Sequence, residues 1–156
     1  MNGYENLVNE CESIGIEVIE KNFKSNAKGL IKGNKIGISK KIDTAVEKRC
    51  ILAEEMGHYY TTYGNILDQS NIENRKQEYK ARKWSYNKLV GTKNIIKAFE
   101  YGCKNKYEIA DYLDITVEFL EESIECYKKV YGVFVSVGEY AIIFTPSLAV
   151  VKNISL

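Results

Sequence analysis

Four glycines set how far any helix in this 156-residue chain can run. Gly15, Gly91, Gly102 and Gly132 each follow an amphipathic stretch, and glycine closes a helix in a left-handed conformation at no steric cost. Pro146 is the single proline, so few other breakers exist. Leu7, Cys11 and Ile14, spaced i, i+4, i+7, predict a first helix over about residues 3–14. The same periodicity predicts helices over about 72–90, 93–101, 105–112 and 117–130. Thr44 followed three positions on by Glu47 opens another, expected to run through His58 to about Thr61.

Between the first helix and the Thr44 helix the period changes. Ile16 and Val18 alternate with Glu17, and apolar stretches flank Gly33-Asn34, the signal of a two-residue hairpin, so a small sheet of about three strands is expected. Residues 62–73 are polar and read as a loop. Near the end, Val133–Val137 and Tyr140–Phe144 flank Gly138-Glu139 as a terminal hairpin, followed by Pro146 and a tail. The expected class is α+β, a small antiparallel sheet against helices, with a helical extension and a terminal β-hairpin.

Composition narrows the function classes. At 45% hydrophobic and 28% charged the chain is an ordinary globular one, and its formal charge of +1 provides no global field for nucleic acid or an anionic membrane. Cys11, Cys50, Cys103 and Cys126 are too dispersed for a C-x-x-C metal knuckle and read as reduced, buried thiols. No stretch approaches the ~20 apolar residues that cross a bilayer. The start, Met1-Asn2-Gly3-Tyr4-Glu5-Asn6, lacks the basic and apolar regions of a leader. A cytoplasmic protein with no membrane partner is expected.

The one histidine, His58, lies in Leu52-Ala53-Glu54-Glu55-Met56-Gly57-His58-Tyr59-Tyr60. Glu54 and His58 are one turn apart on one helix face, within reach of a common metal ion, and Glu55 stands beside them. That is the geometry of the H-E-x-x-H metallopeptidase helix, whose outer positions bind zinc and whose inner glutamate is the general base, with Glu54 in place of the first histidine. Glu-Glu pairs are also common on solvated helix faces. Gly57 costs its helix roughly 1 kcal/mol against alanine, which is explained either by close approach at a site or by tight packing on a neighbouring element.

The next long helix offers a third ligand. Glu78, Ala81 and Trp84 lie close to one face at spacings of three, placing a carboxylate at the end of a small, apolar stripe. The alternative is that Glu78 pairs with Lys80, Arg82 or another nearby cation. Tyr59, Tyr60 and Tyr63 are either oxyanion donors or packing residues. A substrate peptide could add as a strand to the edge of the N-terminal sheet.

Ile51 through Tyr60, together with Glu78-x-x-Ala81-x-x-Trp84, resembles the ImmA/IrrE family of metallo-endopeptidases over roughly residues 1–91. The resemblance implies a zincin-like core over 1–91, a small sheet on an active-site helix and a ligand helix; residues 92–156 are read from their own pattern as a helix-turn-helix-like extension with the terminal hairpin, packed on the core as one unit. It implies Glu54, His58 and Glu78 as metal ligands, Glu55 as catalytic base and Zn²⁺ as cofactor. It also implies a cytoplasmic peptidase of a prophage or mobile element that cleaves a co-encoded helix-turn-helix repressor. The family pattern has histidine where this chain has Glu54. Two carboxylates and one neutral imidazole make the zinc shell formally neutral, which implies a weaker Lewis acid and also admits Mn²⁺.

Two further readings accompany it. One is a catalytically weak or inactive pseudo-peptidase that regulates a repressor by binding. The other is a DNA-binding regulator acting through Glu108–Leu120, which has the apolar rhythm of a helix-turn-helix. Its would-be recognition helix carries Glu118, Glu121, Glu122 and Glu125 and no cation before Lys128, so direct nucleic-acid binding is not expected. Asp114 also stands where such turns commonly have glycine. The basic stretch from Arg75 to Lys88 reads as a solvated helix face.

Overall fold

The computed structural model describes residues 1–61 and 72–153, which form six helices and six strands in two compact units, Met1–Lys88 and Leu89–Leu156. In the first unit, α1 (Gly3–Ser13) begins with a capping box: the Asn2 side chain accepts from the Glu5 N–H at 2.8 Å, and the Glu5 carboxylate accepts from the Asn2 N–H at 3.2 Å. Tyr4, Leu7 and Cys11 are buried; Ile14, expected on the same face, is the C-cap residue and is exposed. The chain reverses at Gly15, φ +86°.

Strands β1 (Glu17–Lys21), β2 (Gly29–Lys32) and β3 (Lys35–Ser39) form a sheet ordered β1-β3-β2. β2 and β3 make the expected antiparallel hairpin, with Gly33 at φ +61° supplying the first position of the two-residue turn. β1 pairs with β3 in parallel, Val18 opposite Ile36, so this sheet is mixed. Apolar alternation marks which face of a strand is buried and carries no information on the direction of its partner. Ile36 and Ile38 on the central strand are fully buried.

Helix α2 (Ala45–Thr61) starts from Thr44, whose Oγ1 accepts from the Glu47 N–H at 3.1 Å. It buries Cys50, Leu52, Ala53, Met56 and Gly57. Helix α3 (Ile72–Leu89) occupies the range its periodicity predicts. Residues 62–71, most of the expected loop and including Tyr63, lie outside the described residues.

The second unit holds α4 (Gly91–Tyr101), α5 (Lys106–Leu113), α6 (Val117–Tyr131) and strands β4 (Phe134–Val137), β5 (Tyr140–Ile143) and β6 (Ala149–Lys152). Gly102 closes α4 at φ +112°. Asp114 closes α5 in the left-handed conformation, φ +56°, which aspartate tolerates better than most side chains. Thr116 then caps α6, accepting from the Phe119 N–H at 3.1 Å. Glu118, Glu121, Glu122 and Glu125 are exposed along α6. The terminal hairpin gains a third strand, β6, where a tail was expected: Ala149–Lys152 pairs antiparallel with β5. The four cysteines are free thiols, three of them buried. Among the described residues no helix is long and apolar enough to cross a membrane.

Candidate active site

The site begins at a contact between two backbones. A Cβ on Gly57 would sit 2.2 Å from the carbonyl oxygen of Ala81, so α2 and α3 touch main chain to main chain, and only glycine fits. Tight packing is therefore the reason for Gly57. The contact also brings the following residue of α2, His58, to the residue one turn before Ala81 on α3, Glu78. His58 Nε2 lies 3.3 Å from Glu78 Oε2, and both side chains are largely buried, 12% and 22% exposed.

The other oxygen of Glu78 lies 3.3 Å from Arg82 Nε, one turn along α3. Glu78 thus meets the histidine with one oxygen and pairs with a cation, Arg82, with the other. Hydrogen bonding to His58, joined by the charges of His58 and Arg82 and opposed by burial, holds the Glu78 carboxyl below the usual range. Burial pulls the His58 imidazolium down, but the Glu78 hydrogen bond and the charges of Glu78, Glu55 and Glu54 more than offset it, so its pKa is raised.

Glu55 faces the sheet. A Cβ on Gly29 of β2 would meet Ile51 Cγ2 at 2.7 Å, Glu55 Cγ at 3.0 Å and Glu55 Oε1 at 3.1 Å, so the strand's backbone lies directly against the Glu55 side chain. Burial pushes the Glu55 pKa up to about 7, with the His58 charge opposing and the Glu78 charge adding. A glycine opening a short strand is the one trace of this contact in the sequence.

Glu54 is half-buried one turn before His58, and its charge raises the pKa of both His58 and Lys28. Tyr60 stacks on Trp84 at 4.9 Å between ring centroids, and Tyr59 meets Tyr60 edge-on at 5.1 Å, which accounts for both tyrosines by packing.

The donor chemistry of His58 and Glu78 suits a divalent metal. Tetrahedral ligands at about 2.0–2.1 Å from zinc stand about 3.3 Å apart, the separation of Nε2 and Oε2 here. A third donor is not drawn in with them: among the described residues no group of three or more His, Cys, Asp or Glu is gathered closely enough to hold an ion.

A family model described as IrrE N-terminal-like domain, Peptidase M78, matches residues 11–125. No curated protein and no solved structure matches the chain.

Proposed function

The chain belongs to the IrrE N-terminal-like family of Peptidase M78, and from that premise we propose that it is a metallo-endopeptidase. The observation that carries this reading is the His58–Glu78 pair at 3.3 Å, fixed by the Gly57–Ala81 contact, with Glu55 half-buried beside it. His58 and Glu78, with Glu54 one turn before His58, would hold a zinc ion, or Mn²⁺ in its place. Lewis acidity, for activating water and polarising the scissile carbonyl, is what such an ion supplies when bound.

The chain's own residues do the rest. Glu78 stays a carboxylate because His58 and Arg82 hold it so. Glu55 takes a proton from the attacking water at a carboxylate oxygen and returns it to the leaving amine. The sheet wall at Gly29 limits water around it. The substrate is proposed to be a helix-turn-helix repressor encoded beside the protein on a prophage or mobile element, in the cytoplasm.

Arg82 on Glu78, and the lack among the described residues of a third donor gathered with His58 and Glu78, favour one further reading, a weak or inactive pseudo-peptidase that binds the repressor without cutting it. A DNA-binding role is opposed by the four exposed glutamates of α6, which phosphates would repel.

Elemental mass spectrometry on the tag-free protein separates the two peptidase-fold readings. About one zinc or manganese per chain, lost in both His58→Ala and Glu78→Gln, supports the enzyme. Glu55→Gln should then keep the metal and abolish cleavage of the repressor. A wild-type chain that stays empty on titration with both metals overturns the enzyme in favour of the binding protein.

A further inference from the structure

Between Lys21 and Lys41 the chain holds seven lysines and no Asp or Glu. All seven are exposed. Lys28 pairs with Glu47 at 2.6 Å and Lys35 with Glu17 at 3.9 Å; among the described residues the other five make no ion pair. This block is wound around β2, which is preceded by Lys28, ends in Lys32, and exposes Leu30 between them.

β2 is also an open edge. The sheet order is β1-β3-β2, and among the described residues no strand pairs with the far side of β2. The Ser39 N–H donates to the Lys28 carbonyl at 2.8 Å, so the antiparallel alternation turns the main-chain groups of Lys28, Leu30 and Lys32 toward β3 and leaves the N–H and C=O groups of Gly29 and Ile31 facing outward. Gly29 is the residue that lies against Glu55. A chain added to this edge therefore passes the candidate base, with a lysine on either side of the passing point.

We propose that the free edge of β2 captures an acidic, extended peptide segment, its main chain paired with Gly29 and Ile31 and its Asp or Glu side chains met by Lys28 and Lys32. This deepens the peptidase reading and rests on it for the cleavage step after capture. Main-chain pairing supplies affinity in strand addition and side chains supply selectivity, so a lysine-flanked edge selects acidic sequence. Glu47 competes for Lys28 from within, and an exposed pair of this kind is weak enough to exchange. Edge lysines also guard strands against aggregation, a role that needs no ligand. A peptide is favoured over RNA because the open main chain and Leu30 offer features that phosphate contacts do not use.

Fluorescence anisotropy on the full chain carrying Glu55→Gln, which removes turnover, tests this. The probes are blocked ten-residue peptides: an alternating Glu/Val sequence, its Gln/Val isostere, and the acidic sequence N-methylated at alternate amides in each of the two registers. The acidic peptide should bind at least about tenfold more tightly than the isostere at about 50 mM salt, with the gap closing as salt rises. N-methylation in one register should abolish binding and in the other leave it. Lys28→Ala with Lys32→Ala should remove the preference, and Glu47→Gln should tighten binding by about two- to fivefold. Equal binding of acidic peptide and isostere, or indifference to N-methylation or to the lysine substitutions, overturns the proposal. Indifference to N-methylation with equally tight binding of an RNA oligomer would mark a plain polyanion surface. Failure of the peptidase reading looks different: the acidic peptide is captured as described, while the wild-type chain loaded with zinc or manganese cuts nothing.

Discussion

Gly57 has the least latitude of any residue at the site. Alanine there puts a carbon 2.2 Å from a carbonyl oxygen that belongs to a helix and cannot swing aside. Gly57→Ala should destabilise the protein by about 2–4 kcal/mol in chemical denaturation, through separation of the two helices. Glu55 behaves oppositely. Its pKa is raised from 4.5 to about 7 in the folded protein, so between those values the native state binds more protons than the unfolded chain. Stability of the metal-stripped protein should fall as pH rises through that window. Glu55→Gln should flatten the fall and stabilise the stripped protein near pH 8 by roughly 1–3 kcal/mol, read from denaturation midpoints at several pH values. Activity and stability are thus expected to move in opposite directions at this one position.

At the scale of elements, the caps carry separable contributions. Thr44→Ala removes the acceptor for the Glu47 N–H and should cost about 1 kcal/mol. Tyr127→Phe removes the hydroxyl that accepts from the Gly91 N–H at 3.0 Å where α4 begins, and should cost about 1 kcal/mol by the same measurement. The ends of α4 to α6 are legible where residues whose chemistry marks a terminus sit there: Gly102, Asn105, Thr116 and Gly132. β6 is not legible, since four residues after Pro146 offer neither a glycine turn nor a length that periodicity can register. The parallel direction of β1 is hidden for a related reason: it is decided by where α1 delivers the chain. At the site, helical spacing marks His58 and Glu78 as candidates. That one carboxylate serves both a histidine and Arg82, or that Gly29 lies on Glu55, depends on contacts between elements that no spacing within one element records.

For the molecule as a whole, charge is distributed more unevenly than its total of +1 suggests. Residues 1–88 carry fifteen Lys and Arg against twelve Asp and Glu, while residues 89–156 carry seven against nine. The family match, residues 11–125, runs on from the first unit through α5 into α6. Past it, the β4-β5-β6 sheet turns Phe134, Ile143 and Ala149 to one face in register with Ser136, Ala141 and Val151, a face with no charge on it. Phe134 is 56% exposed there. Phe134→Lys should lower light scattering at high protein concentration without changing the unfolding midpoint by more than about 0.5 kcal/mol. The Gly57–Ala81 contact has a mechanical side as well. Two backbones in contact have no rotamers to trade, so α2 and α3 can rock about that point but cannot slide past it. His58 adjoins the pivot and Glu78 lies about 4.5 Å along its helix from it, so a tilt of about 10° shifts the carboxylate's anchor by less than about 1 Å. The fulcrum sits beside both residues, so rocking of α2 on α3 moves their anchors far less than it moves the helix ends.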